Sequence, residues 1–299
     1  MNAPDRSRPV SPAASLRGAD GWQRADLRFA VASDGRARLA RQFVQYPFHI
    51  TRPVHLDAGW PELATLVMQS TSGGLYRDDR VALGVSVGRD AAAHVTTQSA
   101  TKVHSMVDGG HAVQETTVSV ESGGHLEFVS DALILFPKSR LESLLRLSVA
   151  DGGSAIVTDS ALWHDPAGDP DVTGPSFASL RQTLLVSNPD TGKPSVAERQ
   201  WSGDESVAGL DAWRAWRVQG AVYVLSPGRD IGPQSDACRQ ALADCDGVWG
   251  GVTALPGGGG AAVRLLANDG AAMRAAMQAQ WRAARYALTG RDDGLNWRK

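Results

Sequence analysis

Cysteine is almost missing from this chain. Cys238 and Cys245 are the only two among 299 residues, which excludes the disulfide framework of a small secreted scaffold. Zinc knuckles place their ligand pairs about two to four residues apart, so the separation of seven here does not fit one. Residues seven apart share a helix face, and two small core side chains account for the pair. An excess of charge of either sign is also lacking. The formal net charge is -2, which gives no electrostatic reason to expect nucleic acid or an anionic membrane as partner. No apolar run approaches the ~18 residues of a membrane-spanning helix. The first sixteen residues mix Pro, Ser and Ala with Asp5, Arg6 and Arg8 and hold no apolar core of signal-peptide length. These absences lead to the expectation of a cytoplasmic protein with a flexible N-terminal segment over residues 1–20.

Signatures of catalysis are missing too. There is no Gly-x-Ser-x-Gly elbow, and the glycine run Gly257 to Gly260 has no Lys-Ser/Thr after it, so it reads as a turn rather than a phosphate loop. The seven histidines stand singly along the chain, with no His-x-Glu-x-x-His among them. The expectation is therefore no catalytic residue, no tight metal site and no tightly bound cofactor.

What is present in quantity is alternation. Leu27 to Val31, Arg36 to Arg52, Leu63 to Gln69, Val81 to Val87, Ala93 to Thr97 and Val113 to Val120 read as extended. So do His125 to Val129, Leu133 to Phe136, Leu144 to Val149, Ser154 to Leu162 and Phe177 to Val186. Asp108-Gly109-Gly110, Ser122-Gly123-Gly124 and Asp151-Gly152-Gly153 punctuate them as turns. Segments starting at Val85, Val118 and Leu147 share one shape, Val/Leu-Ser-Val followed by a polar turn and an apolar return. Either stacked strand-turn-strand units or three ordinary hairpins would produce it. Helices come late: Gln234 to Ala243, and residues 269–288, where Met273, Met277, Trp281, Ala284 and Leu288 share a face. Asn268 or Asp269 would cap that helix and Gly290 would end it. Arg274, Arg282 and Arg285 read as its solvated side.

The most informative stretch runs from Ser72 to His104. Gly73-Gly74-Leu75-Tyr76-Arg77-Asp78-Asp79 precedes a clean strand, and the block Thr96-Thr97-Gln98-Ser99-Ala100-Thr101-Lys102-Val103 follows. Hydroxyls, an amide and a lysine so concentrated in strand-like sequence admit two readings. They form a dry ladder in which Lys102 pairs with Asp79 or Glu127, since buried polar groups need partners. Alternatively they line a wet interior passage, where oxygen ligands hold a divalent ion loosely.

These motifs resemble the urease accessory protein UreD family, also called UreH. Gly73, Gly74, Leu75 and Asp79 match its Gly-Gly-aliphatic-x-x-Gly-Asp. Thr96, Thr97, Gln98, Lys102 and Val103 match its Thr-Thr-Gln-x-x-x-Lys-aliphatic-Tyr. Leu126-Glu127-Phe128, Ile134-Leu135-Phe136 and Trp281-x-x-x-Arg285 with Gly290 extend the likeness. Departures occur at Asp78 for a glycine, His104 for a tyrosine, Ser130-Asp131-Ala132 for prolines, and Trp163 to Asp169, where only Gly168 is kept. The resemblance implies a mainly β fold of elongated, stacked, β-helix-like sheets over residues 21–299, with a few C-terminal helices. It also implies a non-catalytic scaffold that binds apo-urease and the accessory proteins UreF and UreG and passes nickel in transit. The passage reading then falls on Gly73, Gly74, Asp79, Thr96, Thr97, Gln98, Lys102 and Glu127. The departures leave open a paralogue that uses the same fold as an interaction scaffold in another maturation complex.

Overall fold

Period-two alternation separated by glycine turns builds most of this molecule as strand. The computed structural model describes residues 21–164, 176–191, 193–203 and 216–292. The N-terminal segment 1–20 and the Gly168 and Asp169 matches lie outside the described residues. In chain order the strands begin with β1 (Gln23–Val31), β2 (Ala37–Val44), β3 (Phe48–Ile50), β4 (Ala64–Ser70), β5 (Arg80–Val87) and β6 (Ala92–Thr97). Next come β7 (Thr101–Val103), β8 (Ala112–Val120), β9 (His125–Val129), β10 (Leu133–Leu135), β11 (Arg140–Val149) and β12 (Ser154–Trp163). β13 (Ser179–Asn188), β14 (Lys193–Ser202), β15 (Val218–Leu225), β16 (Val248–Ala254) and β17 (Gly260–Ala267) complete them. Helix α1 (Gly232–Ala243) precedes β16 and helix α2 (Gly270–Thr289) follows β17. The expectation of a mainly β chain with late helices holds.

Two sheets result. The first has the order β14-β13-β11-β8-β5-β1-β2; the second runs β16-β17-β15-β12-β9-β6-β4-β3, with β10 joining β12 to β7. From β5 to β12 the chain passes back and forth between the sheets, and the strands it lays down in each pair in parallel. Val85, Val118 and Leu147 are register partners, so the sequence repeat is a column of stacked side chains. Inward residues such as Leu27, Val85 and Leu147 meet Leu66, Val95 and Val157 of the other sheet in one core cluster. Each such side chain stabilises by about 1.5–3 kcal/mol on burial.

The outer face of the second sheet is covered by α2. Asp269 is its N-cap, extended at φ -148, with its carboxylate accepting from Ala271 N and Ala272 N, both at 2.8 Å. Gly290 ends it in the left-handed conformation, φ 68. Met273, Met277, Trp281 and Leu288 pack on Val218, Val222 and Val263. One expectation is overturned here: Arg285 is not on a solvated face but fully buried. Cys238 is buried on α1, while Cys245 lies past the end of that helix and is half-buried. No helix among the described residues is long and apolar enough to cross a membrane.

Candidate functional site

Strand register on the inner face of the first sheet creates a polar row. Val81 of β5 partners Gln114 of β8, Gln114 partners Ser143 of β11, Ser143 partners Gln182 of β13, and Gln182 partners Gln200 of β14. One step along the strands in one direction lies Thr116–Leu145–Leu184, and in the other Ala112–Leu141–Leu180. Leu145 and Leu184 of the first row belong to one apolar cluster, and Ala112, Leu141 and Leu180 of the second to another. The row of amides and a hydroxyl therefore forms a polar layer between two pieces of hydrophobic core.

The second sheet answers it with Thr97, Asp159, Gln219 and Arg264. Gln182 Nε2 donates to Asp159 Oδ2 at 2.9 Å, Gln219 Nε2 to Gln182 Oε1 at 2.7 Å, and Gln200 Nε2 to Gln219 Oε1 at 2.9 Å. Arg264 Nη2 reaches Glu198 Oε2 of β14 at 2.6 Å. Burial pushes the Asp159 carboxyl above the usual carboxylate range, against the Gln182 hydrogen bond and the charge of Arg264. Three cavities run through this layer. One of about 310 Å³ lies between β4, β6 and β12 on one side and β5, β8 and β11 on the other. Another, of about 580 Å³, opens between β14, β15, β16 and β17, with the exposed Trp249 on its lining. A third, of about 20 Å³, shares Ser143, Leu145 and Asp159 with the first and Gln182, Glu198, Gln200 and Arg264 with the second. Asp159 lines all three.

Of the residues singled out in the sequence, Gly73, Gly74, Thr97, Gln98 and Lys102 line the first cavity. Gln98 and Lys102 are exposed at its rim. Gly74 sits at φ 136, and a Cβ there would run into the Lys102 carbonyl, so only glycine lets this turn approach β7. Thr97 Oγ1 donates to Asp131 Oδ2 at 3.1 Å and accepts from Asp131 N at 2.8 Å, so it both lines the cavity and ties two strand ends together.

Asp79, Thr96 and Glu127 are not in that lining. Asp79 is buried and accepts from Tyr76 N at 2.8 Å, closing the turn. Asp78, where the sequence pattern has glycine, is left-handed at φ 65, which explains the glycine preference and shows it can be met by aspartate. His104, in place of a tyrosine, stacks on Tyr76 at 4.3 Å between ring centroids. Thr96 points away from the cavity because its neighbour Thr97 points in.

Glu127 belongs to a second buried polar group, beneath α2. His94 Nδ1 lies 2.7 Å from Glu127 Oε2, His125 Nε2 lies 3.3 Å from Oε1, and His125 Nδ1 lies 2.8 Å from Ser154 Oγ. Arg285 donates to Glu127 Oε2 at 3.4 Å and to Asp57. The guanidinium is held between the rings of Trp60 and Trp281, with centroids at 5.6 and 5.8 Å. Burial alone would raise the Glu127 pKa. The hydrogen bonds from His125 and His94, with their charge, outweigh it and hold the carboxyl far below its usual range. Lys102 is exposed at the cavity rim, and the cation bonded to Glu127 is Arg285. Among the described residues no group of three or more His, Cys, Asp or Glu is arranged to hold a metal ion. A polar layer with amide, hydroxyl and single-carboxylate groups can solvate a cation in passing but offers no chelating set.

Gln114, Ser143, Asp159, Gln182, Gln200 and Gln219 were not singled out in the sequence. Their signal was faint but real: Gln182 falls in the inward phase of Leu180 and Leu184, as Ser143 does with Leu141 and Leu145.

Comparison with known proteins agrees with the motif likeness. A family model described as UreD urease accessory protein matches residues 21–296. The protein named urease accessory protein UreD 3 of Bradyrhizobium sp. (strain ORS 278) is 38% identical over 256 residues, 86% of this chain and 88% of the relative. Urease accessory protein UreD 1 of Methylorubrum extorquens (strain PA1) is 37% identical over 272 residues, 90% of each chain. Urease accessory protein UreD of Haloarcula marismortui is 34% identical over 265 residues, 88% of this chain and 86% of the relative. With the family model matching nearly the whole length and these relatives 34% to 38% identical, this chain belongs to the UreD family of urease accessory proteins.

Proposed function

We propose that this chain is a non-catalytic scaffold of urease maturation, acting in the cytoplasm, and that its polar layer is a path along which nickel moves toward apo-urease. Family membership supports the maturation role. The single observation that carries the passage reading is the polar row Gln114–Ser143–Gln182–Gln200 facing Thr97 and Asp159 across cavities of about 310 and 580 Å³. A core built only for stability would place aliphatic side chains there, as Leu145 and Leu184 do on one side and Ala112, Leu141 and Leu180 on the other. Hydroxyl and amide oxygens exchange readily with the waters of a hydrated divalent ion, and with few charges they let it go again.

In this reading apo-urease and the UreF and UreG proteins are the partners, and nickel is cargo rather than a resident cofactor. Asp78 and His104 do not speak for a different role, because each is accommodated where it stands, by a left-handed turn and a ring stack. The test is direct. A tagged full-length chain expressed with its host's urease operon should retain urease subunits together with UreF and UreG homologues. Deleting its gene should leave urease made but poor in nickel. A chain that retains none of these proteins, in a strain whose urease keeps its full nickel without it, would overturn the reading.

A further inference from the structure

The two larger cavities share two lining residues, Asp159 and Ser160 of β12. Between them the space narrows to about 20 Å³, room for about one water. Hard divalent ions keep a shell of about six oxygens, so an ion that carries its shell does not fit through. Four side-chain contacts cross from one sheet to the other here: the amide chain Gln200–Gln219–Gln182–Asp159, and the one ion pair among them, Glu198 of β14 to Arg264 of β17 at 2.6 Å. No backbone needs to move for that pair to open.

We propose that the Arg264–Glu198 ion pair is a closed gate across the inter-sheet passage, and that Asp159 is the carboxylate that meets the divalent cation on the near side of it. This rests on the passage reading above and adds its regulation. With the pair closed, the guanidinium lies in the path and repels a cation, while Glu198 is occupied. When they part, Arg264 retains the ring of Tyr223, whose centroid is 5.2 Å from its Cζ, and the guanidinium no longer stands in the path. The pair's side chains are 39% and 43% exposed, and ion pairs in contact with water are held weakly, so opening is accessible without unfolding. Asp159 is suited to its part because Gln182 donates to its Oδ2 alone and the carboxylate lines the cavities on both sides of the constriction.

The experiment uses the full-length chain in its maturation complex with apo-urease. The initial rate of nickel incorporation is read alongside the melting temperature of the chain. Arg264→Gln combined with Glu198→Gln removes both charges and keeps amide-sized groups; it should raise the initial rate several-fold. Asp159→Asn should lower it several-fold with no loss of thermal stability. A brace that has merely been cut cannot speed transfer, so a faster double variant excludes a purely structural role. An unchanged or slower double variant, or a wild-type rate for Asp159→Asn, overturns the gate. Ser143→Trp, which fills the first cavity, tells the two claims apart. If it blocks transfer while the gate variants behave as wild type, the gate fails and the passage stands. Should a folded Ser143→Trp chain transfer nickel at the wild-type rate, the passage itself is wrong and the gate falls with it.

Discussion

Replacing Arg285 by methionine should destabilise this protein more than removing any surface charge. The guanidinium has no exposed surface and is bonded to two carboxylates, Asp57 and Glu127, both also buried. Methionine fills much of the same volume, so the change is chiefly electrostatic. Asp57 keeps Gly59 N and Trp60 N on its other oxygen, at 2.9 and 3.0 Å, and Glu127 keeps His94 and His125. Two buried anions nonetheless lose their shared cation. Removing one partner of a buried ion pair costs about 3–5 kcal/mol. At ~2 °C per kcal/mol for a chain of this size, the melting temperature should fall by roughly 6–10 °C. Thermal unfolding followed by circular dichroism at pH 7 measures it. Adding Glu127→Gln and Asp57→Asn to Arg285→Met should recover part of the loss, because the stranded charges are then gone. A drop below about 2 °C for Arg285→Met, with no recovery in the combined variant, would refute the claim that this group pins α2 to the second sheet.

Other outcomes follow from the same reasoning. Asp159 has its folded pKa raised by burial, so its ionisation opposes folding at pH values above the unfolded carboxylate pKa, about 3.9. Asp159→Asn should therefore raise the melting temperature at pH 8 and leave it unchanged at pH 4; a loss at pH 8 would contradict the assignment. Thr97→Val should cost about 1–3 kcal/mol in denaturant unfolding, because Asp131 loses both a donor and an acceptor at that hydroxyl. A variant as stable as wild type would mean that water replaces the hydroxyl. The Cys238 thiol is pushed up to about 11 by burial, so a thiol reagent at pH 8 should label Cys245 first, and equal labelling rates would show that α1 opens in the native state.

Much of the fold was legible in alternation. β5, β8 and β9 stand within a residue of where the pattern put them: β5 and β8 have one face in the core and a more open one behind it, and β9 alternates apolar Leu126 and Phe128 with polar His125 and Glu127, although α2 covers the polar face. β15 was missed for the opposite reason: all eight of its residues are buried, with Tyr223 and Leu225 facing the sandwich and Val222 and Val224 under α2, so it has no polar phase to read. β14 was missed as well; it is an edge strand whose inward positions include Glu198 and Gln200. Arg285 was read as solvated from the company of Arg274 and Arg282, although its spacing of four from Trp281 already placed it on the buried stripe. The site was half legible. A dense polar block pointed to Thr97, Gln98 and Lys102, but Glu127 was drawn in by its motif, when alternation with Phe128 turns it to the α2 side. The row Gln114–Ser143–Gln182–Gln200 exists only once four strands are in register; the repeat at Val118 and Leu147 aligns β8 with β11, but β13 and β14 lie outside that repeat.

The central claim, that nickel reaches urease through the polar layer, is tested most directly by one number: nickel per urease active site after maturation with Ser143→Trp in place of the wild-type chain. Ser143 lies in the middle of the row and lines the cavity of about 310 Å³, which has space for an indole at a modest packing cost. The account predicts a folded chain that still assembles with its partners and leaves urease with nickel near the level of a strain lacking the chain. Full nickel occupancy with the folded Ser143→Trp protein would contradict it.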